Sequence, residues 1–135
     1  MQIHLKIVGC LLLVLASAHI VFPKYFNWNK ELTNLSLINN QMMRTHTFFI
    51  ALTVALIGLL CLTSATELIK TALGKRITLG LGIFWIARLF FQLFVYSSKL
   101  WKGRLFETSI HILFVFLWSY ISSVFMLSYY FNSNF

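Results

Sequence analysis

Four apolar stretches, each long enough to cross a membrane, constrain this chain more than any other feature. They cover about residues 5–22, 47–66, 77–97 and 108–131. At a helical rise of 1.5 Å per residue, each spans roughly 27 Å or more, against a hydrocarbon core of about 30 Å. With 59% hydrophobic and only 10% charged residues, the composition excludes a soluble domain of this length. The sequence therefore predicts an all-α, polytopic membrane protein, folded as a four-helix bundle in a single transmembrane domain over residues 1–135.

The loop between the first two stretches, residues 23–44, is the only long one. Leu32, Leu35 and Ile38 recur there at steps of three residues, with polar asparagines between them. This spacing puts apolar side chains on one face of a helical turn. We therefore expect a short amphipathic helix in the membrane interface, within residues 29–40.

Small residues mark two places where helices could approach closely. Ala51, Ala55 and Gly58 form a strip on the second stretch, and Gly80 and Ala87 lie on the third. Small side chains are enriched where transmembrane helices pack, because they let the backbones come together. We expect helix contacts at both places.

The net charge of +8 does not indicate a nucleic-acid partner, because the basic residues are scattered over short loops. Anionic lipid headgroups are the simpler partner for this charge. An even number of spans places both termini on one membrane side, which carries four basic residues. The opposite side carries six: Lys24, Lys30, Arg44, Lys99, Lys102 and Arg104. The positive-inside rule favours the six-residue side as cytoplasmic and both termini as non-cytoplasmic.

Three histidines fall near span ends on the six-residue side. They are His19, His46 and His111, and Glu107 lies four residues before His111 on the same helical face. Imidazoles and a carboxylate are ligands that zinc, copper and non-haem iron accept. The sequence therefore predicts a transition-metal site whose ligands are His46, His111, His19 and Glu107.

A second group follows the third stretch. Arg88, Gln92 and Tyr96 repeat at four-residue steps, so they share a helical face, and Gln41 lies just before the second stretch. An ionisable residue inside a span usually faces protein or a cavity and marks a functional site. We expect these four residues to contact a bound group.

These residues leave several functions open. The histidines could hold a metal, or two of them could hold haem b; alternatively, the polar groups could bind the head group of a quinone or lipid. The same side chains could support acid–base catalysis. A different class of function also fits, in which the chain is a structural or accessory subunit, as a homo-oligomer or within a larger membrane complex, and its polar residues serve assembly.

Overall fold

A computed structural model describes residues 1–132, and every regular element in this part of the chain is helical. Helix α1 covers Gln2–Tyr25, and a short helix, α2, covers Trp28–Glu31. A 3₁₀ turn at Leu32–Asn34 precedes the long helix α3, Leu37–Thr63. A short α4, Ala65–Lys70, leads into α5, Ala72–Phe90, which continues as a π-helical turn over Phe91–Val95. After a 3₁₀ turn at Ser98–Leu100, helix α6 covers Leu105–Tyr130.

Four of these helices are long and apolar enough to cross a membrane: Gln2–Tyr25, Leu37–Thr63, Ala72–Val95 and Leu105–Tyr130. The prediction of an all-α protein with four membrane-spanning helices is therefore confirmed for residues 1–132. Each helix begins before its apolar stretch does, because helical backbone continues into the polar residues beyond the hydrocarbon core.

Most of the apolar surface of these helices is left uncovered by the chain itself. In the most apolar part of each span, only 17% to 33% of the residues are buried. Side chains such as Phe84, Phe94 and Phe116 are more than half exposed. A water-soluble protein rarely exposes so much contiguous apolar surface, so the medium around the spans is lipid.

The first loop holds the predicted short helix, although with different bounds. The backbone of Leu35 is extended, with ψ at 149°, and this residue ends the 3₁₀ turn. Ser36 then caps α3, its Oγ accepting the backbone N–H of Asn39 at 3.4 Å. Ile38, which was assigned to the interfacial helix, therefore lies in the first turn of α3 instead. The regular spacing of Leu32, Leu35 and Ile38 suggested one helix, but Ser36 begins a new helix between the second and third of these residues.

The chain divides into two compact units. One comprises Lys6–Ala65, and the other comprises Met1–Leu5 with the chain from Thr66 onward. The assignment of residues 1–135 to a single domain stays a prediction, and its last three residues lie outside the described part of the chain.

Within the unit Lys6–Ala65, α1 and α3 approach closely at Gly9 and Gly58. A Cβ atom added to Gly9 would lie 2.8 Å from the backbone oxygen of Gly58, and one on Gly58 would lie 2.9 Å from the oxygen of Gly9. The prediction for Gly58 is therefore confirmed.

Within the other unit, α5 packs along α6, and here one expectation was wrong. A Cβ added to Gly80 would meet nothing within 4 Å, whereas one on Gly82 would collide with the side chain of Met126. The close approach thus occurs two residues later than predicted. Gly80 and Gly82 lie on different faces of α5. The sequence does not say which of them packs against α6, because that depends on the rotation of α5 about its axis.

Candidate functional site

Polar and aromatic side chains of the unit that contains α5 and α6 form one connected group. We call it the α5–α6 cluster; its members are Arg88, Gln92, Tyr96, Trp101, His111 and Trp118. It gathers three of the four side chains that we assigned to a bound group, together with one of the proposed metal ligands.

Gln92 lies at the centre of the cluster, and its side-chain amide links α5 to α6. Its Nε2 lies 2.9 Å from Nδ1 of His111, and its Oε1 accepts a hydrogen bond from Nε1–H of Trp118 at 3.4 Å. Gln92 is only 7% exposed. A buried amide in this position uses both its donor and its acceptor, as a polar group within a membrane span requires.

These bonds define the proton position on His111. An indole N–H can only donate, so the Gln92 atom facing Trp118 is the carbonyl oxygen. The amide nitrogen of Gln92 therefore faces His111 and donates to Nδ1, which leaves the proton of the neutral imidazole on Nε2. His111 thus offers an N–H donor at Nε2.

A stacking contact holds the plane of the His111 ring. The ring of Trp101 lies parallel to it, with centroids 3.8 Å apart and planes inclined by 11°. Trp101 comes from the loop before α6, and its backbone oxygen accepts a 2.6 Å hydrogen bond from Thr108 Oγ1. The loop is therefore tied to α6 at the point where it covers the imidazole.

Arg88 lies one helical turn before Gln92 and packs against aromatic faces. Its guanidinium carbon is 5.1 Å from the ring centre of Trp118 and 5.5 Å from that of Tyr96. Arg88 and Tyr96, which the sequence assigns to one bound group, are thus in contact with each other. Within residues 1–132 the N–H groups of Arg88 donate no hydrogen bond, and the side chain is half-buried. Two rings stabilise its charge, while its donors remain available.

The contact with Tyr96 depends on a change of helix type. The sequence pattern treated residues 88 to 96 as regular α-helix, but Phe91–Val95 form a π-helical turn in which Tyr96 N–H bonds to the oxygen of Phe91 at 3.2 Å. Tyr96 itself is extended, with ψ at 132°. Such turns are rare and occur frequently at functional sites.

Trp118, a member of the cluster, stacks on two further aromatic rings. Trp118 stacks on Trp85 at 5.1 Å and on Phe114 at 5.4 Å between ring centres. The buried Nε1–H of Trp85 has no acceptor among the described residues. Dispersion and ring electrostatics therefore hold this stack, and its central ring, Trp118, is the one that faces Arg88.

Of the remaining predicted site residues, His19, His46 and Gln41 belong to the unit Lys6–Ala65, whereas Glu107 lies on α6. The ring of His19 is half-buried, with Nδ1 2.8 Å from the backbone oxygen of Leu15. Since a carbonyl oxygen can only accept, Nδ1 of His19 carries the proton. Both His46 and Gln41 are exposed on α3, and Glu107 is half-buried in the first turn of α6.

The metal hypothesis finds no support in the described part of the chain. There, no group of three or more histidine, cysteine, aspartate or glutamate side chains is placed to hold a metal ion. Of the proposed ligands, His111 already shares its Nδ1 with the side-chain amide of Gln92.

Two cluster residues, Trp118 and Trp101, were missed as site residues, and so was Phe114, which stacks on Trp118. A signal for two of these three exists in the sequence. His111, Phe114 and Trp118 follow one another at steps of three and four residues, which places them on one face of α6. That face complements the stripe of Arg88 and Gln92 on α5. Trp101 lies in a loop, and no periodicity could have indicated it.

The fold and the cluster define the class of protein. It is a multi-pass, all-α integral membrane protein with an arginine and a hydrogen-bonded glutamine–histidine pair within or beside its last two spans. Comparison of the chain with protein families, curated proteins and solved structures finds no match. Function is therefore inferred from the residues of this chain alone.

Proposed function

We propose that the protein binds a lipophilic ligand whose head group carries hydrogen-bond acceptors, such as a quinone carbonyl or a lipid phosphate, at the α5–α6 cluster. The observation that carries this proposal is the guanidinium of Arg88. It lies in a membrane span, its charge faces two aromatic rings, and its N–H groups donate to no residue within 1–132.

An arginine in this state needs an acceptor. Placing arginine in the centre of a span costs about 2.5–3.5 kcal/mol even on insertion scales, which are the mildest measure. The rings of Trp118 and Tyr96 interact with the face of the guanidinium, whereas hydrogen bonds form at its edge. An oxygen of a ligand head group at that edge would satisfy the donors, and its apolar tail could lie among the lipid-exposed side chains.

Other cluster residues support the same role. His111 contributes a second donor at Nε2, and Gln92 holds its ring in that tautomer. Tyr96 contributes a phenol hydroxyl, which can donate or accept. We assign ligand contact to Arg88, His111 and Tyr96, and positioning to Gln92. The roles of Gln41, His46, His19 and Glu107 stay predictions.

One observation favours the second candidate, an accessory subunit without a ligand. Gln92 bonds to both His111 and Trp118, as it would in a network that only ties two helices together. In that case, the acceptor for Arg88 would be a carboxylate of a neighbouring membrane protein.

Titration of the purified full-length protein with decylubiquinone and with dioctanoyl phosphatidic acid distinguishes these functions. Tryptophan fluorescence is the signal, because Trp118 contacts Arg88 directly. We expect saturable quenching by at least one probe. Arg88→Gln should abolish it, and Arg88→Lys should weaken it, since an ammonium lacks the planar edge of the guanidinium.

Arg104→Gln is the matched control, because it removes the same charge from an exposed position outside the spans. Equal quenching in the wild type and in both glutamine variants would reject the ligand site. A visible absorption band of haem or stoichiometric metal in the wild-type protein would reject the proposal in favour of the metal alternative. Co-purification with another membrane protein that depends on Arg88, without quenching by either probe, would establish the accessory role instead.

A further inference from the structure

A second polar site lies in the unit Lys6–Ala65, where α1 ends and α3 begins. It is an open hollow of about 450 Å³, lined by Ile20, Pro23, Lys24, Asn27, Asn29 and Arg44. We call it the Lys24–Arg44 hollow. It shares no residue with the α5–α6 cluster.

Two asparagine side chains orient Arg44 in this hollow. Its Nε donates to Oδ1 of Asn40 at 2.9 Å, and its Nη2 donates to Oδ1 of Asn29 at 3.1 Å. The amide of Asn40 is itself oriented, because its Nδ2 donates to the backbone oxygen of Leu32 at 3.2 Å. A flexible arginine is thereby held in one direction before any ligand arrives, which reduces the entropy lost on binding.

The partners of Arg44 are neutral, so its charge is not compensated. A guanidinium has five N–H donors, and these two bonds leave the others without an acceptor among the described residues. Lys24 lines the same hollow and is exposed. Two cations that line one hollow, with no carboxylate among its lining residues, match the charge and the acceptor oxygens of a phosphate group.

The residue types beside the hollow are those typical of the depth of lipid headgroups. Lys24 occupies the last turn of α1, next to the exposed Tyr25 and Phe26. Tyrosine collects at the boundary between hydrocarbon and water, because its ring is apolar and its hydroxyl is polar. Ile20, one turn deeper, is 78% exposed and offers an apolar contact beside the polar groups.

We infer that the Lys24–Arg44 hollow binds a phosphate group, with Arg44 and Lys24 contacting its oxygens and Asn29 and Asn40 positioning Arg44. A phospholipid headgroup and a soluble phosphate ester share this chemistry. The apolar contact at Ile20 favours the lipid.

Native mass spectrometry of the full-length protein in a neutral detergent tests the inference, with dioleoyl phosphatidylglycerol as the probe and dioleoyl phosphatidylcholine as the zwitterionic comparison. We expect preferential retention of phosphatidylglycerol. The double variant Lys24→Gln/Arg44→Gln should lower its affinity by about tenfold or more. The control Lys99→Gln/Lys102→Gln removes the same charge elsewhere and should change the affinity less than about twofold.

Asn29→Asp provides a second test, in which both cations are retained. The new carboxylate would lie where the Oδ1 of Asn29 now accepts from Arg44, so it would compensate the charge that the phosphate needs. We expect it to weaken phosphatidylglycerol binding, whereas Asn34→Asp, which adds the same charge in the same loop, should have little effect.

Inorganic phosphate and glycerol 3-phosphate separate the two sources of the ligand. If millimolar concentrations displace the lipid, the hollow recognises soluble phosphate; if they do not, it requires the lipid. Equal retention of both lipids by the wild type, or equal binding by the hollow and control double variants, would overturn the inference. Arg88 is intact in both double variants, so any lipid held at the α5–α6 cluster is common to them. The difference between the two double variants therefore reports the hollow alone, and failure here is distinguishable from failure of the proposed function.

Discussion

The side-chain amide of Gln92 lies 2.9 Å from Nδ1 of His111, and this contact joins the third span to the fourth inside the membrane. Because Trp118 donates to the other end of the same amide, one residue determines both the tautomer of the imidazole and the position of the indole beneath Arg88. The proposed ligand site thus depends on a residue that need not contact the ligand.

Replacing Gln92 with leucine should destabilise the protein by about 1–3 kcal/mol, because the buried donor of Trp118 and His111 Nδ1 both lose their partner. We expect the lower end of that range, since hydrogen bonds between transmembrane helices contribute less than their burial suggests. The free energy of unfolding in mixed micelles, followed by circular dichroism during titration with dodecyl sulfate, measures the effect. Gln41→Leu alters an exposed glutamine on α3 and serves as the control. Equal stabilities of the two variants would contradict the structural role of the network.

The two glycines of α5 should respond very differently to a large side chain. Gly82→Leu would push into Met126, and overpacking of this kind costs about 1–3 kcal/mol. Gly80→Leu meets open space and should change the stability by less than about 0.5 kcal/mol. The same unfolding titration compares them. A larger loss for Gly80→Leu would mean that α5 is rotated differently against α6.

Thr71 caps the third spanning helix, and its removal should cost about 1 kcal/mol. Its Oγ1 accepts the backbone N–H of Gly74 at 2.9 Å and donates to the oxygen of Glu67 at 2.7 Å, which links α4 to α5. Thr71→Ala loses both bonds, whereas Thr45→Ala removes an exposed hydroxyl within α3. The difference between their unfolding free energies measures the cap, and a difference near zero would show that water replaces it.

With four spans, successive loops lie on opposite sides of the membrane. The side on which each loop lies can be measured by labelling single cysteines. In a background of Cys10→Ser and Cys61→Ser, Lys30→Cys and Lys102→Cys should react with an impermeant maleimide from one side of the membrane, and Lys70→Cys from the other. We further predict, from the excess of basic residues, that Lys30 and Lys102 face the cytoplasm. Labelling of all three from one side would contradict the span count. The reverse polarity would contradict only the orientation.

Part of the candidate site could be predicted from the sequence, because it consists of residues that lie on the same helix. Arg88 and Gln92 share a face through helical geometry alone, and an arginine within an apolar stretch indicates a functional position in any fold. Tyr96 also contacts Arg88, but not through the regular helix that the spacing implied. A π-helical turn and the extended backbone of Tyr96 itself replace that helix. That outcome depends on how α5 ends against α6, which periodicity does not encode.

The sequence by itself determined the class of protein and its four spans, because the length and apolarity of a segment decide whether it can replace water with lipid. Tertiary structure decided which faces meet. Gly82 rather than Gly80 contacts α6, Trp118 and Trp101 complete the cluster, and Asn29 with Asn40 orients Arg44. Such contacts depend on the rotation of each helix and on side-chain volumes far apart in the chain. A lipid environment solvates every apolar face equally well, so hydropathy alone cannot distinguish the face that packs from the face that does not.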